Sequence, residues 1–153
     1  MSSFDVISKN YDSSTLDITN VSIKKATIQD SKNIAELYKT VGITEKNIAE
    51  KLNLYNNNSF FKTGGIFQIR TETEIIELFL KNEAIVVIAE RKDTKDIIGA
   101  YLGYIEKNIF ISLDILVNPI FNNIGLAKLL KLHSINELLK KEIKTGIIEI
   151  YTI

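Results

Sequence analysis

Cysteine and tryptophan are absent from this chain, and proline and histidine occur once each. Without a thiol there can be no disulfide framework, cysteine nucleophile, iron–sulfur cluster or cysteine-based zinc site. One histidine cannot build a multi-histidine metal centre, so no metal is expected. Net charge is absent too, because 19 basic side chains face 19 acidic ones, and the broad basic footprint of a nucleic-acid binder is lacking. Long apolar runs are missing. The longest, Ala84 to Ala89, is closed by Glu83 and Glu90, far short of the roughly 20 residues a membrane helix needs. The start, Met1-Ser2-Ser3-Phe4-Asp5, has neither the basic segment nor the apolar core of a secretory signal. The expectation is a soluble, cytoplasmic chain with no nucleic-acid or membrane partner.

What is present suffices for one core. A chain of 153 residues, 45% of them apolar, buries about two-thirds of its unfolded surface without a staple. Residues 1–20, rich in Ser, Asp, Asn and Thr, read as an N-terminal extension, and residues 21–153 as the domain. Val21 to Thr27 alternates as a half-buried strand does, and Thr27 with Asp30 resembles a helix cap. Ile34, Leu37, Tyr38 and Val41 recur at helical spacing, with Gly42 expected to stop that helix. A second short helix is expected from Thr44, carrying Ile48, Leu52 and Tyr55, then a loop over Phe60 to Ile69 that contains Gly64-Gly65. Thr71-Glu72-Thr73-Glu74 has the form of a capping box ahead of Ile75, Leu78 and Phe79. Ala84 to Glu90, Ile97 to Glu106 and Ile109 to Val117 read as consecutive strands with tight connections. Asn123 to Lys144 reads as a long helix whose broad apolar face must lie against a sheet. Gly146 is its expected stop, and Ile147 to Ile153 a last strand.

This order is α+β, with a mixed, mostly antiparallel sheet and flanking helices. Its final βαβ crossover sets the last strand parallel to the one ending at Val117. Between them, Val117 to Ala127 leads from a strand into a helix N-terminus, where unpaired N–H groups and the helix dipole attract an anion. Gly125 lacks a Cβ and Ala127 has only a methyl, so a diphosphate can approach the backbone there. From the turn alone, an ordinary helix start capped by Asn competes with that reading. Asp114, near the end of the fourth strand, is placed to take a proton from an amine directly or through water. A solvent-facing strand residue, or a contact with a neighbouring loop, is the competing and stronger reading of that carboxylate. Tyr104 and Tyr151 are strand tyrosines that either pack or point a phenol at the same region. His133, among leucines, reads as structural.

At this turn the chain resembles the GCN5-related N-acetyltransferase (GNAT) superfamily. That family's acyl-CoA loop follows a strand ending in Val-x-Pro and has the form Arg/Gln-x-x-Gly-x-Gly/Ala. Here Val117-Asn118-Pro119 precedes Asn122-Asn123-Ile124-Gly125-Leu126-Ala127. Val21 to Thr27 with Ile34 to Tyr38 is similar to the family's opening strand and helix, and Ile98 to Tyr104 to its third strand, so the likeness covers about Val21 to Ile153. It implies the acyl-CoA N-acyltransferase fold, with backbone amides of Asn122, Asn123, Ile124, Gly125, Leu126 and Ala127 on the CoA diphosphate. It further implies main-chain pairing of Ile115, Leu116 and Val117 with pantetheine, and a thioester slot between the fourth and fifth strands. Acetyl-CoA would be the cosubstrate and a primary amine the acceptor, attacking directly, with Asp114 and Tyr151 as catalytic candidates. Asn122 stands where the family has Arg or Gln. The family also continues past its fifth strand through a helix, which often carries a thiolate-protonating Tyr, and two further strands. The chain is therefore expected to be a C-terminally incomplete domain, active or reduced to a catalytically inactive CoA-binding or interaction module. An uncovered, Ile-rich last strand predicts a homodimer through that edge.

Overall fold

A computed structural model describes residues 18–51, 69–143 and 145–148. Five strands form one sheet in sequence order: β1 (Val21–Lys25), β2 (Glu83–Arg91), β3 (Ile97–Glu106), β4 (Ile109–Val117) and β5 (Thr145–Ile148). The first three pairings are antiparallel and β4–β5 is parallel, which is the mixed, mostly antiparallel α+β sheet the sequence order implies. Alternation along β2 sorts its side chains: Ile85, Val87 and Ala89 enter one core, Val86 and Ile88 the other. The β3–β4 hairpin turns on Lys107 and Asn108, both at positive φ as a two-residue turn requires. The β2–β3 connection is fastened by Arg91, which donates to both carboxylate oxygens of Asp93 at 2.9 and 2.7 Å. Those bonds hold the Asp93 carboxyl below its ordinary pKa.

Helices α1 (Ser31–Lys51) and α2 (Glu72–Lys81) cover one face. Ile34, Tyr38, Ile75 and Leu78 pack there with Val86, Ile88, Leu102 and Leu116. Helix α3 (Leu126–Lys140) covers the other, where Leu126, Leu130 and Leu138 join Ile85, Val87, Ile98 and Phe121. Both expected caps form. Thr27 N donates to Asp30 Oδ2 at 2.8 Å ahead of a 3-10 turn, Ile28–Asp30, that leads into α1. At α2, Glu74 N donates to Thr71 Oγ1 at 3.2 Å while Thr71 N donates to Glu74 Oε1 at 3.3 Å.

Four local expectations are corrected. Gly42 does not end α1, which runs on to Lys51 and absorbs the second helix expected from Thr44; Val41 and Gly42 are buried, and packing outweighs the roughly 1 kcal/mol that glycine costs a helix interior. Helix α3 begins at Leu126 rather than Asn123, because Pro119–Ile124 is a 3-10 turn and Gly125 breaks the spiral with φ 78°. Gly146 lies within β5, and Glu142, at φ 61°, turns the chain after α3. The sheet covers only part of α3's apolar surface, leaving Leu132, Ile135 and Leu139 exposed. Leu52, Tyr55, Gly64-Gly65, the stretch from Phe60 to residue 68, and residues 1–17 of the expected extension lie outside the described residues.

Candidate active site

The residues expected to hold a diphosphate meet at one turn. Pro119 pre-sets its own φ and opens the 3-10 turn, Asn118 Oδ1 accepts from Ile120 N at 3.2 Å, and Asn118 N donates to Ile98 O at 2.8 Å. These bonds tie the turn to β3. Phe121 is buried beneath it, its ring centre 5.8 Å from the Arg91 guanidinium. Gly125 then takes the left-handed conformation as N-cap of α3, and no side chain caps that helix. A Cβ at Gly125 would meet nothing within 4 Å, so the backbone is open to approach. The first turn of α3 holds no acid, while Lys128, its third residue, is exposed. A cation there opposes the helix dipole, leaving the terminus short of negative charge. The backbones of Asn122, Asn123 and Ile124 belong to the 3-10 turn; Leu126 is buried and Ala127 exposed.

Ile115, Leu116 and Val117 lead into this turn from β4, opposite Tyr101, Ala100 and Gly99 of β3. On its other side β4 is paired from Ile109↔Thr145 to Ser112↔Ile148. Among the described residues, no strand lies on that side of β4 from Leu113 onward. Tyr151, and with it the rest of the expected slot, lies outside the described residues.

Asp114 occupies a polar island. Its Oδ2 accepts from the Tyr38 hydroxyl at 2.6 Å and from Arg70 Nε at 2.5 Å. The side chains of Arg70 and Asp114 are only 16% and 11% exposed, and Tyr38 is fully buried. Burial, then the charge of Asp114, raise the Tyr38 pKa far above a phenol's ordinary value. For Arg70 burial works against the cation, but the bond and charge of Asp114 more than offset it and the net shift is upward. Tyr38 is therefore a fixed donor and Arg70 a fixed cation. Neither role was visible in the sequence: Tyr38 sits in an apolar helical stripe, and Arg70 has no local partner, since Asp114 is 44 residues away from it and 76 from Tyr38.

A cleft of about 320 Å³ opens beside this island, walled by Arg70, Glu74, Ile75, Leu78, Tyr104 and Leu113. It runs along α2 from Glu74 to Lys81, with Leu113 of β4 on its wall. His133 stands apart, with Nε2 3.8 Å from Glu137 Oε1. Among the described residues no three His, Asp or Glu side chains converge as metal ligands would, and no helix is long and apolar enough to cross a membrane.

No protein-family model matches this chain, and no curated protein sequence does. Solved structures do resemble its fold. The PaiA N-acetyltransferase of Thermoplasma acidophilum, solved in complex with coenzyme A, superposes with a TM-score of 0.55 at 17% identity, over 84% of this chain and 77% of that one. A GNAT-family acetyltransferase of Staphylococcus aureus gives 0.58 at 11% identity, over 84% and 72%. An aminoglycoside acetyltransferase from an uncultured soil metagenomic sample, solved with trehalose, gives 0.61 at 13% identity, over 87% and 79%. The fold is thus that of the GNAT acetyltransferases, as the resemblance at the crossover turn implied.

Proposed function

We propose that this chain is an N-acetyltransferase that moves an acetyl group from acetyl-CoA to a primary amine. The observation that carries the reading is the uncapped, acid-free N-terminus of α3 behind a left-handed, unobstructed Gly125, at the end of β4. The backbone from Asn122 to Ala127 would hold the diphosphate, and the main chain of Ile115 to Val117 the pantetheine arm. The amine nitrogen would attack the thioester carbonyl carbon from the cleft at Leu113, with a backbone N–H of β4 stabilising the oxyanion. As the tetrahedral adduct collapses, the C–S bond breaks and the CoA thiolate leaves. The amine proton goes to water or to Asp114, and the thiolate takes its proton from solvent or from Tyr151.

A second reading, CoA binding without turnover, draws support from one observation: Asp114 Oδ2 is already held by two donors. Calorimetry with acetyl-CoA, followed by thiol release over a panel of amines, separates the two. Heat with turnover is expected, heat without turnover selects the binding module, and no heat rejects both. Gly125→Glu should weaken binding by about 100-fold or more through like-charge repulsion. Gly125→Asn, which tolerates positive φ, should retain most of it. The reading extends to self-association through β5, the edge strand of the described sheet; a strictly monomeric mass by sedimentation would remove that part.

A further inference from the structure

Strand β4 slips register at one place. Leu102 of β3 faces Asp114 and Gly103 faces Ser112, so Leu113 opposes no residue of β3. Such a bulge leaves one residue unpaired, disrupts the ladder locally and bends the strand. Leu113 and Asp114, although consecutive, address the same side of the sheet: Leu113 packs on the core under α1 and α2, and Asp114 reaches Tyr38 of α1. In a regular strand one of the two would point away. The partners of Asp114 come from two separate elements, α1 and the segment entering α2, and both converge on one carboxylate oxygen. Buried ion pairs in general add little net stability over apolar residues of the same volume. Three polar groups meeting one residue from the only register slip in β4 are better explained by the geometry they impose.

We propose that Arg70, Asp114 and Tyr38 form a clamp that fixes the β4 bulge at Leu113, so that the strand's main chain faces the thioester in one conformation. The three are positioning residues, and of the two proton acceptors named above water then takes the amine proton. Arg70 and Leu113 both wall the cleft in which the amine would approach, so the clamp stands between the acceptor's path and the bulge. This inference rests on the acetyl-transfer reading for its catalytic consequence, but not for its structural one.

The test combines kinetics with amide hydrogen exchange in Tyr38→Phe, Arg70→Gln, Arg70→Lys and Asp114→Asn. Tyr38→Phe and Arg70→Gln are each expected to lower kcat by about 10- to 100-fold, the scale of a misplaced reacting group. The KM for acetyl-CoA should stay close to that of the parent, as should the shape of the pH–rate profile. Exchange over residues 112–114 should accelerate relative to 109–111, and Arg70→Lys should recover part of both effects. Leu138→Ala, which weakens the opposite core, controls for general destabilisation and should not shift that exchange ratio. The clamp is refuted if Tyr38→Phe keeps kcat within about twofold of the parent, far inside the expected loss, or if exchange at 112–114 is unchanged in every variant. A rate loss confined to Asp114→Asn, with an altered pH profile, would instead make Asp114 the proton acceptor. If acetyl-CoA gives no heat, the acetyl-transfer reading falls together with the catalytic consequence, while the exchange ratios still support or refute the clamp.

Discussion

The two faces of the sheet are covered by helices of different character. On one side the described side chains of α1 and α2 bury one stripe each and set opposite charges on their outer surfaces, Glu36 beside Lys39 and Glu77 beside Lys81, with Leu80 as one exposed apolar residue of α2. On the other, α3 is apolar in two directions: Leu126, Leu130 and Leu138 are buried, while Leu132, Ile135 and Leu139 remain 48, 49 and 56% exposed. The polar groups differ in the same sense. Under α1, Tyr38 and Arg70 both donate to Asp114, whereas under α3 the Ser134 Oγ is buried with no hydrogen-bond partner among the described residues. The first face therefore holds β4 in shape, and the second ends in the open turn at Gly125. The contrast also shows that apolar content along a helix states how much surface is available for burial, while the neighbouring layer decides how much of it is covered.

The contrast within α3 is the easiest to break. Leu130→Ala should cost about 2–5 kcal/mol of unfolding free energy by cavity formation, and Leu139→Ala no more than about 0.5, both by urea titration. Equal losses would mean that the outer stripe is covered in solution. Next in size is Gly103→Ala, where the added methyl would run into the Phe110 ring and the Ile111 carbonyl. Overpacking of this kind costs about 1–3 kcal/mol, and a neutral result would show that the Phe110 side of the sheet is loose.

A third prediction concerns pH. With its pKa raised above an ordinary phenol, Tyr38 keeps in the folded state a proton that the unfolded chain releases near pH 10. The stability tied to that proton is intact below about pH 10 and is lost as pH rises, by about 1 kcal/mol at pH 11. Tyr38→Phe should show a correspondingly shallower alkaline fall in chemical denaturation; parallel curves would mean that the phenol ionises normally. The smallest expected effect is a gain. Ser134→Ala removes an unpartnered buried hydroxyl and should leave stability unchanged or raise it by about 1 kcal/mol, measured by thermal melting, whereas a loss would reveal a hydrogen bond to Ser134 in solution.

Where the chain's instructions are short-ranged, they were legible. The hairpin strands Ile97–Glu106 and Ile109–Val117 fall where alternation and turn residues placed them, and the Thr71–Glu74 capping box forms as its spacing implies. The turn from Pro119 to Ala127 was recognisable as a strand-to-helix junction, although its 3-10 course and the left-handed Gly125 move the start of α3 by three residues. The passage of α1 through Gly42 was not legible, because a glycine's helix-stopping tendency is weak against tertiary packing. The Tyr38–Asp114 contact was not legible either. A tyrosine in an apolar stripe looks the same whether its hydroxyl meets solvent, a backbone carbonyl or a carboxylate.

By itself the sequence determined the strands, their order, the parallel sense of the crossover pairing and the strand-to-helix turn that ends β4, because periodicity and turn chemistry act over a few residues. Only the tertiary structure decided that Arg70 and Tyr38 converge on Asp114, that Leu113 is squeezed out of the β3–β4 register, and that Leu132, Ile135 and Leu139 of α3 stay exposed. Those outcomes depend on distant segments meeting in one register, where a slip of a single residue sends every side chain to the opposite face.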